Sequence, residues 1–573
     1  MPLDGFMTSY LVAELNTQLT DARISKIYQP ASQKILFELY IPQLGAVQFM
    51  FNMQSAYSYA APSRLSYENP KNPSAFCMLL RKHLAGGKIK SVHQNDHDRI
   101  LTFTVEQADE IGDIRLRYVI AELTGKHANI ILVDENHVIL DSLKRVDESK
   151  SSQRQILPRL RYQLPLSDKL NPKTMTREAF CSAIKNIALP PDQALIRVLE
   201  GTGTDFANYV CQKFPAFGHG SIDDDTLHQV FDFISCSLTP PLQYYLFSKE
   251  DSYCDFYFAD LYDERVEKQP FASLVELCTV FFDWKSEFSA LREKQQSITT
   301  VLNTHIKRSE SKLKKMEREL KDCEKKEIYN QYGQLLLSYS YKIDPGADFY
   351  EDINLFDEEQ KRIRIPLNPH RSVFENAQNY FKKYRKLKNA ETHLTEQIHL
   401  TQENLAFLND QLYYTHQSNR LDDLEDIAQV LEEEKILVSK TQKNRQNLSQ
   451  PHHFLSTDGF DIYVGKNDKQ NDYLTHRFAK KQDIWLHTKN IAGSHVIIKT
   501  FSKQVPNNTL LEAAQLSVFF SKARGGENIP VDYTTISYVK KIHNAPIGKV
   551  TYTNYRTLYI TPNESLIKSL KTI

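Results

Sequence analysis

The sequence predicts a multidomain α+β protein that contains one long helical segment. Its 573 residues exceed what a single hydrophobic core usually supports. Between about residues 283 and 440, apolar residues recur at helical spacing, whereas short alternating strands occur towards both ends of the chain. The composition, with 41% apolar and 25% charged residues, is that of a folded protein. We therefore predict four domains: 1–170, 171–282, 283–440 and 441–573.

The first domain, residues 1–170, is predicted to be mixed α/β. Asp4 is placed to cap a first helix whose apolar residues recur at helical spacing: Phe6, Tyr10, Leu11, Leu15 and Leu19. Alternating apolar residues then predict four strands: Lys34–Tyr40, Ala46–Phe51, Ile100–Val105 and Ile130–Val133. A second helix over Ser74–Leu84 is expected to end at Gly86.

The second domain, residues 171–282, has a helical pattern that is punctuated by Pro190–Pro191 and Pro240–Pro241. Within it, Leu199–Thr204 places a glycine turn between two helical stretches and resembles a helix-hairpin-helix. The amides of such a turn are suited to contact phosphate. A plain interhelical turn explains the same glycines equally well.

The third domain, residues 283–440, is predicted to be a long antiparallel coiled-coil hairpin. Two apolar repeats at heptad spacing, from Phe288 to Cys323 and from Ala377 to Leu412, flank a break with three prolines and a glycine. The break predicts a small tip at about 341–370, with a strand pair. Two helices packed on a globular core are the alternative. The charged outward positions count against it: Arg308, Lys314, Lys315, Glu317 and Arg318.

The fourth domain, residues 441–573, is predicted to be α+β and to follow a polar linker at 442–450. Four strands are expected: Phe460–Val464, Ile484–His487, His495–Ile498 and Thr534–Tyr538. A hairpin is expected over Val550–Thr561. One helix, Thr509–Phe520, should cover one face of the sheet.

Two segments of this last domain combine aromatic, cationic and amide side chains. The candidate ligand-binding residues are Lys466, Asn471, Trp485, His487, Lys489, Ser494, His495, Lys522 and Arg524. Rings stack on bases and cations neutralise phosphate, so the pattern predicts RNA as the partner. The net charge of the chain is zero, but from His452 onward 16 Lys and Arg face 9 Asp and Glu. Trp485 and His495 have core packing as their alternative role.

Two constellations in the first domain also carry candidate binding residues. Asp98 and Arg99 precede a strand, where the carboxylate is expected to orient the guanidinium for phosphate or a base edge. An ordinary surface ion pair is the alternative. The stretch Glu122–Asn129 carries Lys126, His127 and Asn129 on one glycine turn between strands. An ordinary hairpin whose turn carries polar side chains without a binding role explains this turn as well.

Several other classes of function lack support in the sequence. The seven cysteines are scattered and form no Cys-x-x-Cys pair, so neither a disulfide framework nor a zinc site is predicted. No phosphate-binding loop, nucleophile elbow or metal-binding His-Glu cluster occurs, so no catalytic residue, metal or cofactor is assigned. No apolar run spans a bilayer and no signal peptide is recognisable, which makes a cytoplasmic location the expectation.

Over nearly the whole chain, these motifs resemble the NFACT family of ribosome-associated quality control factors. The resemblance implies binding to a large ribosomal subunit that still holds peptidyl-tRNA. It implies recruitment of a tRNA, typically tRNA-Ala, to add an alanine tail to the nascent polypeptide, with the ribosome performing the chemistry. It further implies that Asp98 and Arg99 engage tRNA. The residues that it places where the anticodon arm is read are Glu122, Lys126, His127 and Asn129. It also implies that Asn376–Lys388 starts the second coiled-coil arm.

Two alternatives come with this resemblance. An older family name refers to fibronectin binding, so a surface-displayed adhesin with fibronectin as its partner is the second hypothesis. The first two domains also resemble formamidopyrimidine-type DNA glycosylases, in which an N-terminal proline attacks the sugar. Against that activity, Pro2 is followed by Leu3 and Asp4 instead of glutamate, and the zinc finger of those enzymes is missing.

Overall fold

A computed structural model describes residues 3–42, 44–108, 112–151, 153–219, 223–250, 252–262, 266–357, 361–438, 449–542 and 546–572. The chain divides into two compact units, Met1–Phe288 and Ser289–Ile573. The predicted boundary between residues 282 and 283 and the division between the two units both lie inside the helix Leu274–Cys323. The division into four domains stays a prediction. The predicted boundary at 440 and most of the linker at 442–450 fall outside the described residues.

The first unit begins with helix α1, Gly5–Leu19. Its N-terminus forms where predicted, because the Asp4 carboxylate accepts a hydrogen bond of 2.9 Å from the Met7 N–H. The five predicted apolar residues of this helix are all buried. Helix α2, Ala75–Leu84, is capped by the Ser74 hydroxyl and ends before Gly86, which has a φ of +84°.

Nine strands form one sheet in the order β4-β3-β2-β1-β5-β6-β7-β8-β9. Each ladder pairs antiparallel. The strands are β1 Arg23–Ala31, β2 Lys34–Ile41, β3 Gly45–Asn52, β4 Tyr59–Ser63, β5 Lys88–Gln94, β6 Ile100–Ala108, β7 Ile114–Glu122, β8 Asn129–Asp134 and β9 Ile139–Ser142. All four predicted strands of this region are present.

The helical pattern predicted for residues 171–282 was wrong for residues 244–271. Five helices are present: α3 Arg177–Lys185, α4 Pro191–Val198, α5 Thr204–Lys213, α6 Pro215–His219 and α7 Asp224–Cys236. They are followed by a three-stranded antiparallel sheet of β10 Tyr244–Lys249, β11 Ser252–Tyr257 and β12 Glu267–Phe271. Short runs rich in aromatic residues, such as Tyr244–Phe247, favour strands, but their periodicity does not distinguish a buried strand from a helix.

The glycine turn of Leu199–Thr204 packs against the start of α1. The Gly5 N–H donates a hydrogen bond of 2.6 Å to the Gly201 carbonyl oxygen. Gly201 has a φ of +68°, and a Cβ there would overlap the His97 carbonyl oxygen. This close packing of three backbone segments accounts for the glycine, so contact of this turn with phosphate stays a prediction.

A long bent helical segment leads into the second unit. Helix α8, Leu274–Cys323, is followed after two residues by α9, Lys326–Ser338. Strands β13, Phe349–Ile353, and β14, Arg362–Pro366, form the strand pair that was predicted for the tip. Helix α10, Val373–Gln417, then begins at a capping box made by Ser372 and Glu375, and α11 spans Leu421–Glu433.

Contacts along the arms show that they run antiparallel. Ile298 and Leu302 of α8 share an apolar cluster with Phe407, near the end of α10. Further along, Lys326 forms an ion pair with Glu391. Near the tip, Leu335 and Leu336 of α9 pack with Ala377 and Tyr380, at the start of α10. Positions later in α8 and α9 therefore meet earlier positions in α10.

The C-terminal part is a seven-stranded antiparallel sheet with helix α13 on one face. Its strand order is β22-β19-β17-β18-β16-β15-β23. The elements are β15 His452–Leu455, β16 Asp461–Val464, α12 Asp468–Tyr473, β17 Ile484–Thr488, β18 Val496–Ile498, α13 Asn507–Phe519, β19 Ile529–Thr535, β20 Val539–Lys541, β21 Val550–Tyr552, β22 Arg556–Ile560, α14 Glu564–Ser569 and β23 Lys571–Thr572.

Two predictions in this part were wrong. The segment Val550–Thr561 is not a hairpin, because β21 pairs with β20 whereas β22 pairs with β19. The Thr534 hydroxyl donates to the carbonyl oxygens of Thr553 and Asn554 at 3.1 and 3.0 Å, which holds the connection against β19 and separates the two strands. The strand predicted to reach Tyr538 ends at Thr535, and a 3-10 turn follows.

Candidate nucleic-acid interface

The candidate residues of the first unit meet at one end of the nine-stranded sheet. Asp98 and Arg99 immediately precede β6, whose first residue pairs with Glu122 at the end of β7. Glu122 pairs in turn with Asn129 at the start of β8. Between these two strands, a 3-10 turn at Gly125–His127 carries two exposed side chains, Lys126 and His127. The register of three neighbouring strands thus gathers residues that are separate in sequence.

Asp98 does not hold the Arg99 side chain in the way the sequence predicted. Its carboxylate accepts a hydrogen bond of 2.7 Å from the backbone N–H of Arg99. Within the described part of the chain, the Arg99 guanidinium has no carboxylate within 4.0 Å. Asp98 therefore shapes the backbone at the start of β6, while the half-buried Arg99 keeps an unpaired positive charge at the sheet end.

Glu122 and Asn129 are structural, and their predicted contact with RNA needs correction. The Glu122 side chain is 3% exposed and forms a bidentate ion pair with Arg154. It also accepts a hydrogen bond of 2.9 Å from the Tyr162 hydroxyl. Asn129 is buried, and its amide bonds both the carbonyl oxygen and the N–H of Lys144 at 2.8 Å. Since their polar atoms are already satisfied, neither residue is free to contact RNA.

The carboxyl of Asp4, which lies near this end of the sheet, is also buried. Burial raises the pKa of its carboxyl to about 6, while the Tyr257 hydroxyl donates to it at 2.7 Å and the Arg99 charge favours ionisation. The carboxyl is thus engaged in capping α1. Pro2, the nucleophile of the glycosylase hypothesis, lies outside the described residues.

Replacing Asp4 with asparagine is expected to change the pH dependence of stability. Because the folded pKa exceeds the ordinary value of 3.8, the wild type loses stability as pH rises through about 6. An asparagine is always neutral, so the variant gains about 2–3 kcal/mol relative to the wild type between pH 4 and 7. Urea unfolding of both proteins at each pH measures this. A difference that is constant with pH would contradict the argument.

Strand alternation places the C-terminal candidates on the face of the sheet opposite α13. β17 and β19 pair with Trp485 opposite Thr534 and His487 opposite Asp532. Successive side chains of a strand point to opposite faces, so these residues share one face. Leu486 and the other alternate residues join the apolar core under α13.

On this face, Trp485, His487, His495 and Asn471 line a cavity of about 440 Å³. Burial lowers the pKa of His487 to about 4 and that of His495 well below its usual value, so both rings are neutral at physiological pH. His495 Nδ1 and the Thr475 hydroxyl are hydrogen-bonded at 2.7 Å. Asn471 Oδ1 accepts from the His495 backbone N–H at 3.0 Å, which fixes the loop beside the cavity.

The predicted cations of this domain are all ion-paired. The pairs are Lys466 with Asp423 at 3.4 Å, Lys489 with Asp532 at 3.7 Å, Lys522 with Asp410 at 2.6 Å and Arg524 with Glu564 at 2.8 Å. A phosphate must therefore compete with a carboxylate at each of these cations, and their contact with RNA stays a prediction. Ser494 is also unavailable, because it is buried and its hydroxyl donates to the Phe520 carbonyl oxygen at 3.3 Å.

Sequence reasoning missed several residues of this face. Tyr414, Asp468, Asn490 and Tyr552 line the cavity with the predicted residues. Tyr555 lies outside it, with the Lys489 ammonium 4.8 Å from its ring centroid. Three tyrosines within eight residues, 552, 555 and 559, were the available signal for this region. No local pattern indicates Tyr414, because it comes from the end of α10.

Within the ranges given above, no helix is both long and apolar enough to cross a membrane. The same residues contain no group of three or more His, Cys, Asp or Glu side chains arranged to hold a metal ion. The seven cysteines are all free thiols.

Comparison with known protein families identifies the family of this chain. Residues 4–450 match the NFACT N-terminal and middle domains, and residues 450–554 match the NFACT protein RNA binding domain. The chain belongs to the NFACT family, as its motifs predicted. Within this family it is similar to the Rqc2 homolog RqcH of Bacillus subtilis (strain 168), with 35% identity over 579 residues and all of both chains covered.

Two further likenesses cover less of the chain. The human ribosome quality control complex subunit NEMF is 32% identical over 143 residues, which is 24% of this chain and 12% of that protein. The solved C-terminal part of the fibronectin/fibrinogen-binding protein from Streptococcus suis is 31% identical and covers 49% of this chain and 99% of that one. Its TM-score of 0.39 is too low to support an argument from structure.

Proposed function

We propose that this protein is a ribosome quality control factor that binds RNA and is not itself an enzyme. The observation that carries the proposal is its similarity, over the full length of both chains, to a protein named Rqc2 homolog RqcH. The match of residues 450–554 to an RNA binding domain and the aromatic cavity on that domain support it.

In this proposal, the protein binds a large ribosomal subunit that is obstructed by peptidyl-tRNA. It recruits a tRNA, with tRNA-Ala as the expected species, and an alanine tail is added to the stalled nascent polypeptide. Peptide-bond formation belongs to the ribosome, so the protein contributes binding and positioning. The sheet end with Arg99, Lys126 and His127 is the proposed tRNA contact, because two of these side chains are exposed and the third has an unpaired charge.

The antiparallel arms fit a role in reaching across a large particle. Helix α10 has 45 residues, which corresponds to about 68 Å at about 1.5 Å per residue. We propose that α8, α9 and α10 form the coiled-coil hairpin of residues 283–440 that contacts the subunit. Residues 1–170, 171–282 and 441–573 are then the tRNA-binding, helix-hairpin-helix-like and RNA-binding domains.

Sequencing of the RNA that purifies with the protein after mild crosslinking tests this function. We expect enrichment of large-subunit rRNA together with one or two tRNA species, with tRNA-Ala foremost. Untagged cells carried through the same purification provide the background. RNA at the background level would contradict a role in ribosome quality control. Large-subunit rRNA without any tRNA would retain subunit binding but contradict tRNA recruitment.

A further inference from the structure

The cavity beside Trp485 has the size and the walls of a small-ligand site. Its volume of about 440 Å³ lies within the range of about 300–1,000 Å³ that is typical of such sites. Phe407 and Tyr414 of α10 contribute to it from one side, and Trp485, His487 and Tyr552 contribute from the sheet face. All of these residues belong to the second compact unit.

Aromatic rings at several orientations surround the Trp485 indole. The His487 ring is stacked on it, with centroids 5.8 Å apart and an interplanar angle of 19°. The His495 ring meets it edge-on at 5.2 Å, and the Tyr552 ring lies 4.8 Å away at 48°. Walls of this kind favour a planar unsaturated ligand over a flexible aliphatic one.

One polar group in the wall has no partner. Trp485 is fully buried, and among the described residues nothing accepts a hydrogen bond from its indole N–H. Its polar neighbours differ in this respect. The Tyr414 hydroxyl donates to the Gly493 carbonyl oxygen at 3.0 Å, and the Tyr552 hydroxyl donates to Asp532 at 2.9 Å. The indole N–H is closed to solvent, so its lack of an acceptor is a cost of the packing around Trp485.

The charges around the cavity are balanced. Asp410, Asp468 and Lys549 lie in its lining. Asp410 is paired with Lys522, and burial raises the pKa of the Asp468 carboxyl to about 7 while the Gln411 amide donates to it at 2.6 Å. A neutral planar group that accepts hydrogen bonds and belongs to an RNA chain is compatible with these walls.

We propose that this cavity receives a single unstacked nucleobase of the RNA that the C-terminal domain binds, with the rings of the cavity wall in contact with the base. The inference rests on the proposed RNA-binding function and extends it to one base. The Asn490 side chain, at the exposed margin of the cavity, supplies an amide contact. Single-stranded RNA is recognised in this way by other proteins, through stacking and base-edge hydrogen bonds.

Tryptophan fluorescence gives a direct test in the full-length chain. The protein has two tryptophans, so Trp284→Phe leaves Trp485 as the sole reporter. A mixed-sequence nine-nucleotide single-stranded RNA is added to this variant, with ribose 5-phosphate as a probe that lacks a base. Binding is followed in parallel by anisotropy of the labelled RNA. We expect the RNA to quench Trp485 by about half, because a base in the cavity lies against the wall to which Trp485 belongs, and ribose 5-phosphate to leave it unchanged.

Other outcomes distinguish a failure of the base-binding cavity from a failure of the proposed RNA-binding function. RNA that binds by anisotropy without changing Trp485 fluorescence overturns the base-binding cavity and leaves the RNA-binding function standing. No binding by anisotropy overturns both. Quenching by ribose 5-phosphate equal to that by RNA would show that the cavity takes a sugar phosphate instead of a base.

A pair of matched substitutions provides a second measurement. Asn490 and Asn528 are both exposed asparagines with positive φ, of 56° and 53°, in the same domain, and only Asn490 lines the cavity. Glycine is compatible with both backbones. We expect Asn490→Gly to weaken RNA binding by about fivefold, as loss of one hydrogen bond does, and Asn528→Gly to leave it unchanged. Equal affinities of the two variants would remove Asn490 from the proposed site.

Discussion

Replacement of Asp98 and Arg99 together by alanine is expected to abolish tRNA recovery and to leave co-sedimentation with large ribosomal subunits largely intact. Arg99 has an unpaired guanidinium at the sheet end, and Asp98 fixes the backbone that presents it. A bidentate arginine contact contributes about 1–3 kcal/mol. The loss of that contact alone therefore lowers tRNA affinity by about five- to 160-fold.

The single variants divide these two roles. Arg99→Ala should account for most of the loss of tRNA recovery, because it removes the charge. Asp98→Ala should have a smaller effect, because it removes only the acceptor of the Arg99 backbone N–H. Quantification of tRNA and rRNA in the same pull-down measures both. Lys90→Ala is the matched control, since it removes an exposed cation from β5 of the same sheet. Loss of tRNA and subunits together in the double variant would indicate misfolding or a different tRNA site.

Replacement of Glu122 by alanine is expected to destabilise the first unit by about 3–5 kcal/mol, the usual cost of removing one member of a buried ion pair. The substitution leaves the Arg154 guanidinium, whose side chain is 19% exposed, without its carboxylate. It also removes the acceptor of the Tyr162 hydroxyl. Any loss of tRNA binding in this variant would then follow from unfolding. Urea unfolding followed by circular dichroism gives the free energy.

An exposed ion pair of the same unit serves as the control. Asp168 pairs with Arg197, and the two side chains are 71% and 53% exposed. Asp168→Ala should therefore change stability little, because solvent screens such pairs. Should Glu122→Ala retain wild-type stability while tRNA recovery is lost, the direct role that the family resemblance implied for Glu122 would be restored.

Local sequence was sufficient to predict elements whose causes are local. The Asp4 cap and the alternating strands depend on residues two or three positions apart. The antiparallel pairing of the two arms was predicted for the same reason, because the apolar residues of each arm recur in consecutive helical turns. The resemblance to the NFACT family also rested on contiguous motifs, and it was confirmed over residues 4–554.

Only the tertiary structure decided which candidate side chains are free. Glu122 meets Arg154 across 32 residues of sequence, and Lys522 meets Asp410 across 112, so neither pairing has a local pattern. The strand partners of β21 and β22 and the cavity lined by Tyr414 and Trp485 likewise depend on segments that are distant in sequence. The sequence alone therefore determined the family and the positions of those helices and strands that have a local signal. Burial and ion pairing, which arise when distant segments pack, decided which residues can contact RNA.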